Sequence, residues 1–189
     1  MESAMIVSIS EKGTAFIEEM LSLVSIRNVT TLHSCGEARR KLLEKDFDLV
    51  VVNAPLRDEF GESLSRYIVS KGASQVILLV KSELFDEVSA ACEEDGVLTI
   101  SKPVTGAVFW SALKLAGSAQ NRLKRVHAEN SKLKQKIEDI RIIDRAKYML
   151  ISHLKLSEQE AHRHIEKQAM DMRITKRAVA EELLKRYEN

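Results

Sequence analysis

Residues 48–61 read Asp48-Leu49-Val50-Val51-Val52-Asn53-Ala54-Pro55-Leu56-Arg57-Asp58-Glu59-Phe60-Gly61. The run Leu49 to Val52 is apolar at every position, so the strand it predicts needs cover on both faces. Val76 to Val80 has the same character, Val97 to Ile100 shares it except at Thr99, and Met5-Ile6-Val7 adds a shorter strand. Between these runs lie helical stretches, such as Thr14 to Val24 with Phe16, Ile17, Met20, Leu21 and Val24 at helical spacing. Strands that alternate with helices are joined by crossovers and pair in parallel. The expected fold of residues 1–118 is therefore α/β, a doubly wound parallel sheet of about five strands.

Beyond Val104 the pattern changes. No proline follows Pro103, and only Gly106 and Gly117 follow among glycines. From about Ser118 to Leu150 the sequence reads as one long helix. Leu123, Asn130 and Ile137 fall at a positions of a heptad, and Val126, Leu133 and Ile140 at d positions. An asparagine in the middle of an apolar seam is costly unless it meets a partner. In a parallel two-stranded coil it meets its own copy and fixes register, so residues 119–141 are expected to join two chains as a homodimer. Ala112, Ala116 and Ala119 extend the seam weakly upstream. Residues 142–189 read as a small three-helix bundle, with Ile143, Ala146, Leu150 and Ile151 on the first helix. The capping-box pattern Ser157-Glu158-Gln159-Glu160 opens the second, carrying Ala161, Ile165, Ala169 and Met172 on one face. Thr175 is the expected N-cap of the third, which carries Val179, Ala180, Leu183, Leu184 and Tyr187.

Charge is divided along the chain, although the net is +1. Residues 1–118 hold 12 Lys+Arg against 17 Asp+Glu, and residues 119–189 hold 17 against 11. The C-terminal part is thus suited to a polyanionic partner. No apolar run approaches a membrane span, and Met1 to Ala4 lack the basic flank of a secretory signal, so a cytoplasmic location is expected. Cys35 and Cys92 stand apart without ligand spacing, as expected of reduced thiols. His162 and His164 are two apart on a helix and point to different faces, so no metal site is expected there. Phosphate loops, nucleophile elbows and zinc motifs are absent from the sequence, and neither cofactor nor enzymatic activity is expected.

Residues 4–118 resemble the receiver domain of two-component response regulators. Gly61 stands eight residues after Asn53, and Lys102-Pro103 follows the last strand. The resemblance implies that Lys102 is the receiver lysine, that its bond to Pro103 is cis, and that Asn53 holds the position of the phosphorylatable aspartate. Ser8-Ile9-Ser10 replaces the acidic pair that would hold Mg²⁺, leaving Glu11 at most, and Val80 or Lys81 replaces the hydroxyl residue ending the fourth strand. An amide is not a nucleophile, so a receiver that takes no phosphate is expected.

The last 55 residues or so resemble the ANTAR domain of amidase- and nitrate-operon antiterminators. The matching segments are Ile143-Asp144-Arg145-Ala146-Lys147, Ser157-Glu158 with Glu160-Ala161, Gln168-Ala169-Met170-Asp171, and Val179-Ala180. Tyr148 departs from a frequent glycine and His162 from an aromatic or basic residue. The resemblance implies binding to paired stem-loops in nascent mRNA leaders, which prevents a terminator hairpin from forming. Arg145, Lys147, Arg163, Arg173, Lys176 and Arg177 are the expected RNA contacts. Without phosphorylation, control is expected to come from a sensor or sequestering protein partner, from ligand-induced release, or from expression level. Two rival readings are a DNA-binding response regulator and an adaptor whose basic bundle docks an acidic protein.

Overall fold

The computed structural model describes residues 1–72 and 74–187. The last two residues of the expected 142–189 bundle lie outside the described residues. The chain divides into two compact units, Met1–Arg125 and Val126–Asn189.

The first unit alternates β1 (Ser3–Ser8), α1 (Glu11–Leu23), β2 (Asn28–Leu32), α2 (Cys35–Glu44), β3 (Leu49–Asn53), α3 (Glu62–Ser70), β4 (Gln75–Lys81), α4 (Phe85–Glu93) and β5 (Leu98–Lys102). All strand pairs are parallel, in the order β2-β1-β3-β4-β5. The apolar runs form the central strands, whose alternate residues feed two separate cores. Met5, Val7, Val50, Val52, Leu78 and Val80 face α2, α3 and α4, where Leu64, Ile68 and Val88 meet them. Ala4, Ile6, Leu49, Val51, Ile77 and Leu79 face the other layer, made by α1 and the start of α5. Each continuous apolar run is thus accounted for by a sheet covered on both sides.

Two helix boundaries differ from expectation, for local reasons. Helix α1 opens at Glu11 rather than Thr14, because the Ser10 hydroxyl accepts the Gly13 N–H and caps it there. The long helix α5 (Gly106–Leu154) opens well before Ser118. Its first turns carry Phe109, Ala112, Leu113 and Ala116 into the sheet's core. Ala112 and Ala116 therefore do not extend an interchain seam: they are buried within the first unit. Asp48 helps to hold this part of α5, receiving the Lys124 ammonium at 2.7 Å and the Glu2 N–H at 2.6 Å. Burial works against its charged form, but the Lys124 and Glu2 partners win and hold the carboxyl below its ordinary range.

In the second unit the end of α5 packs with α6 (Glu158–Met172) and α7 (Lys176–Tyr187). Its core is Ala146, Leu150, Ala161, Ile165, Ala169, Val179, Ala180, Leu183 and Leu184, with Ile143, Ile151 and Tyr187 partly buried against it. Met172, expected on the buried face, is about half exposed, because it closes α6 just before the chain turns. Ser157 and Glu160 form the reciprocal capping box. Arg173 ends α6 in the left-handed region, where its N–H reaches Met170 O and that of Ile174 reaches Ala169 O. Thr175 Oγ1 accepts the Ala178 N–H at the start of α7.

Candidate nucleic-acid interface

The six basic residues expected to meet RNA fall into two groups. Lys147 is largely covered and lies 2.8 Å from Asp144 and 3.3 Å from Glu158, linking α5 to α6. The Asp144 carboxylate first, then Glu158, raises its pKa. Lys176 pairs with Glu166, linking α7 to α6. Arg177 spans Asp139 on α5 and Glu181 on its own helix, both at 2.8 Å. These three cations are therefore engaged in tying the bundle together. Arg145, Arg163 and Arg173 are exposed.

A wide depression of about 640 Å³ runs along α5, lined by Arg141, Asp144, Arg145, Tyr148 and Met149. Tyr148 is 69% exposed, an aromatic face about one turn beyond Arg145 and two beyond Arg141 on the same helix. Sequence reasoning treated Tyr148 only as a departure from a pattern and did not mark Arg141 at all. The available signal was their spacing with Arg145 at i, i+4 and i+7, which puts all three on one helical face. Met170 is also exposed, at 74%, although it belongs to one of the matched segments.

The seam residues lie on α5. Leu123, in the first unit, is half-buried, whereas Val126, Leu133, Ile137 and Ile140 are each at least 50% exposed and Asn130 is exposed. A row of large apolar side chains facing water is the pattern a partner helix covers.

In the first unit, Ser8 and Asn53 close β1 and β3 in register at the point where the strand order reverses. Open α/β sheets form their ligand crevices at such points. Asn53 Nδ2 donates to Ser8 Oγ at 3.0 Å, and the Lys102 ammonium donates to Asn53 Oδ1 at 3.1 Å and to the Ala54 carbonyl. Burial, and then Lys81, lower the Lys102 pKa. Both Lys102–Pro103 and Ala54–Pro55 are cis. Gly61 has φ +110°, and a Cβ there would stand 2.8 Å from Val52, so this position requires glycine. The fold implies a Mg²⁺ site at this strand end, but an amide already bonded to an ammonium beside a hydroxyl does not fit the anionic oxygen set that Mg²⁺ takes.

Asp58, the nearest carboxylate along the chain after Asn53, is committed elsewhere. Its oxygens accept the Cys35 and Gly36 N–H groups at 2.9 Å and cap α2, and those bonds lower its pKa. Glu59 pairs with Arg39. Cys35 Sγ lies near both carboxylates, close enough for the three to enclose an ion. Burial, reinforced by Glu59 and Asp58, pushes that thiol up to about 12, so it offers no thiolate at neutral pH.

Comparison with known proteins places both units. Residues 131–184 match the model of the ANTAR domain. The second unit carries an ANTAR domain. Its α5–α6–α7 bundle is thus the ANTAR part of a chain whose first unit has the receiver fold. That fold is shared with the signal receiver domain of an HD domain-containing protein from Pseudomonas fluorescens Pf-5, at 21% identity and a TM-score of 0.58 over 66% of this chain and 92% of that one. A response regulator receiver domain from Clostridium thermocellum is similar at 22% identity and a TM-score of 0.56, over 67% and 99% of the two chains. The transcriptional regulatory protein PdtaR of Mycobacterium tuberculosis is 26% identical over 137 residues, covering 72% of this chain and 67% of that protein. The chain therefore joins a receiver fold to an ANTAR match and is similar to a transcriptional regulatory protein. No helix among the described residues is long and apolar enough to cross a membrane.

Proposed function

We propose that this chain is a homodimeric RNA-binding antiterminator that grips stem-loops in nascent mRNA leaders through its ANTAR bundle. The observation that carries the reading is the exposed face of α5 within that bundle, where Tyr148 lies among Arg141 and Arg145. Bases splayed from a hairpin loop stack on aromatic and guanidinium planes, whereas a duplex keeps its bases stacked inside. Arg163 and Arg173 add exposed positive charge on α6 and at its end. Of the six basic residues, we assign the three most exposed, Arg145, Arg163 and Arg173, to the RNA. Lys147, Lys176 and Arg177 preserve the shape of the bundle through their ion pairs.

The working division is a receiver-like domain at 1–118, a dimerising helix at 119–141 and an RNA-binding bundle at 142–189. The exposed heptad row supports a parallel coiled coil between two copies. The receiver is not phosphorylated in this reading: Asn53 lacks a nucleophilic oxygen, and Lys102 occupies the amide oxygen it has. Control then passes through a sensor or sequestering protein, in the cytoplasm. A competition gel shift with the full chain tests the central claim. A labelled two-hairpin RNA should be displaced by unlabelled hairpin RNA and not by duplex DNA of equal charge. Equal displacement by DNA would replace this reading with a DNA-binding regulator, and no salt-sensitive RNA binding would leave the protein-only adaptor.

A further inference from the structure

A second cavity, of about 300 Å³, opens at the carboxyl end of the sheet in the first unit. Its polar side is formed by Asn53, Lys102, Ser10 and Lys12, and its other walls include Phe16, Leu79 and Val104. Lys102 carries three donor hydrogens. Two acceptors meet it, Asn53 Oδ1 and the Ala54 carbonyl, and both are neutral. Among the described residues neither Lys102 nor Lys12 belongs to an ion pair, and the charge that acts on Lys102 is another cation, Lys81. Glu11, the acidic residue next to the cavity in sequence, is exposed and pairs with neither lysine. A partly buried ammonium without a counter-charge is electrostatically incomplete, since charges taken out of water are ordinarily paired.

The replacements that remove a metal site here also change what the crevice attracts. With Ser8 and Asn53 at the strand ends, the crevice has no carboxylate of its own to repel an anion. Its volume is at the lower end of small-molecule sites, and its mix of a few convergent polar groups with apolar walls is the usual make-up of such sites. We propose that this cavity is a reversible binding site for a small organic carboxylate, whose anionic head meets Lys102, Lys12 and Asn53 while its hydrocarbon or aromatic part lies against Phe16, Leu79 and Val104. The inference does not depend on the RNA reading. It gives the receiver fold a chemical input that needs neither phosphoryl transfer nor metal.

Titration of the full chain with benzoate, benzamide and inorganic phosphate, followed by calorimetry and by amide NMR, tests it. Benzoate should bind one per chain and shift the Gly13 and Asn53 side-chain amide resonances. Benzamide, of the same shape without charge, and phosphate, charged without an apolar part, should not bind at about 10 mM, a concentration that detects even millimolar affinities. Lys102→Gln should weaken benzoate by about tenfold or more, as expected for losing a charge-assisted hydrogen bond. If that variant fails to fold, Lys12→Gln at the mouth should weaken benzoate by about threefold through lost attraction. The proposal is overturned if benzoate does not bind, if benzamide or phosphate binds equally well, or if the folded variant binds benzoate as the native chain does.

Discussion

Asn53 differs from an aspartate by one group, and that group changes what the strand end can do. Its amide nitrogen donates to Ser8 while its oxygen accepts from Lys102, so both ends are engaged in hydrogen bonds that hold β1, β3 and β5 together. Incubation with acetyl phosphate and Mg²⁺ should therefore leave the intact mass of the protein unchanged. A stable gain of one phosphoryl group, lost on Asp58→Ala, would show instead that the α2 cap can act as an acceptor. Tyr148 is the corresponding residue in the bundle. A side chain that is 69% exposed contributes little to the bundle's core, so Tyr148→Ala should leave the melting temperature nearly unchanged. It should nonetheless weaken hairpin RNA by about tenfold to a hundredfold, the loss of one stacked base at about 1–3 kcal/mol. Unaltered RNA affinity in Tyr148→Ala would remove the α5 face from the interface. Asn53 stood out in the sequence because a strand end and a glycine eight residues later framed it. Tyr148 did not: its spacing with Arg141 and Arg145 was there to read, but its exposure depends on how α6 and α7 pack around the rest of α5.

Helix α5 shows how far periodicity carries and where it stops. Its heptad was legible because Val126, Leu133, Ile137 and Ile140 recur at spacings that put them on one stripe, and each is exposed in the single chain. Its start was not legible, since Phe109, Leu113 and Ala116 follow a helical spacing too, and only tertiary packing separates residues that cover a sheet from residues that await a partner. The same limit applies to the basic residues of the bundle: Lys147 and Arg177 are bonded to carboxylates 11 and 38 residues away, a pairing that no local pattern encodes. Strands β3 and β4, by contrast, were readable because four or five consecutive apolar residues have few alternatives in a sheet buried on both faces. The edge strand β2, Asn28–Leu32, has no such run and was not legible. The stripe on α5 leads to a prediction about assembly. The chain should sediment as a dimer at micromolar concentration, and Leu133→Pro should make it a monomer, because proline inside a helix costs about 3 kcal/mol or more and interrupts the seam. Asn130→Val should keep or raise thermal stability while admitting species larger than a dimer, since the polar a position is what restricts the assembly. A native chain that sediments as a monomer would detach the heptad from any role in pairing.

Across the whole molecule the charge is segregated, with net −5 in residues 1–118 and +6 in residues 119–189. A receiver-like unit that is acidic does not compete for a polyanion, so the affinity of the full chain for RNA is set by the basic part. Two copies joined along α5 would carry two bundles, and binding of the first hairpin makes binding of the second intramolecular. Its effective concentration is then fixed by the length of RNA between the hairpins. A leader with two linked hairpins should bind the dimer on the order of a hundredfold more tightly than either hairpin alone, with no new contact made. Affinity should fall steeply as salt rises, because each phosphate neutralised by arginine or lysine releases condensed counterions. The salt slope for two hairpins should be close to twice that for one if both bundles engage, since twice as many phosphates are contacted. Arg163→Glu should lower both slopes, while Leu133→Pro should abolish the advantage of two hairpins and leave the single-hairpin affinity intact. That pair of variants separates contact from valency. Equal affinity for one and two hairpins in a native dimer would mean that the second bundle is idle, and the reading of paired sites would then fail even if RNA binding itself survived.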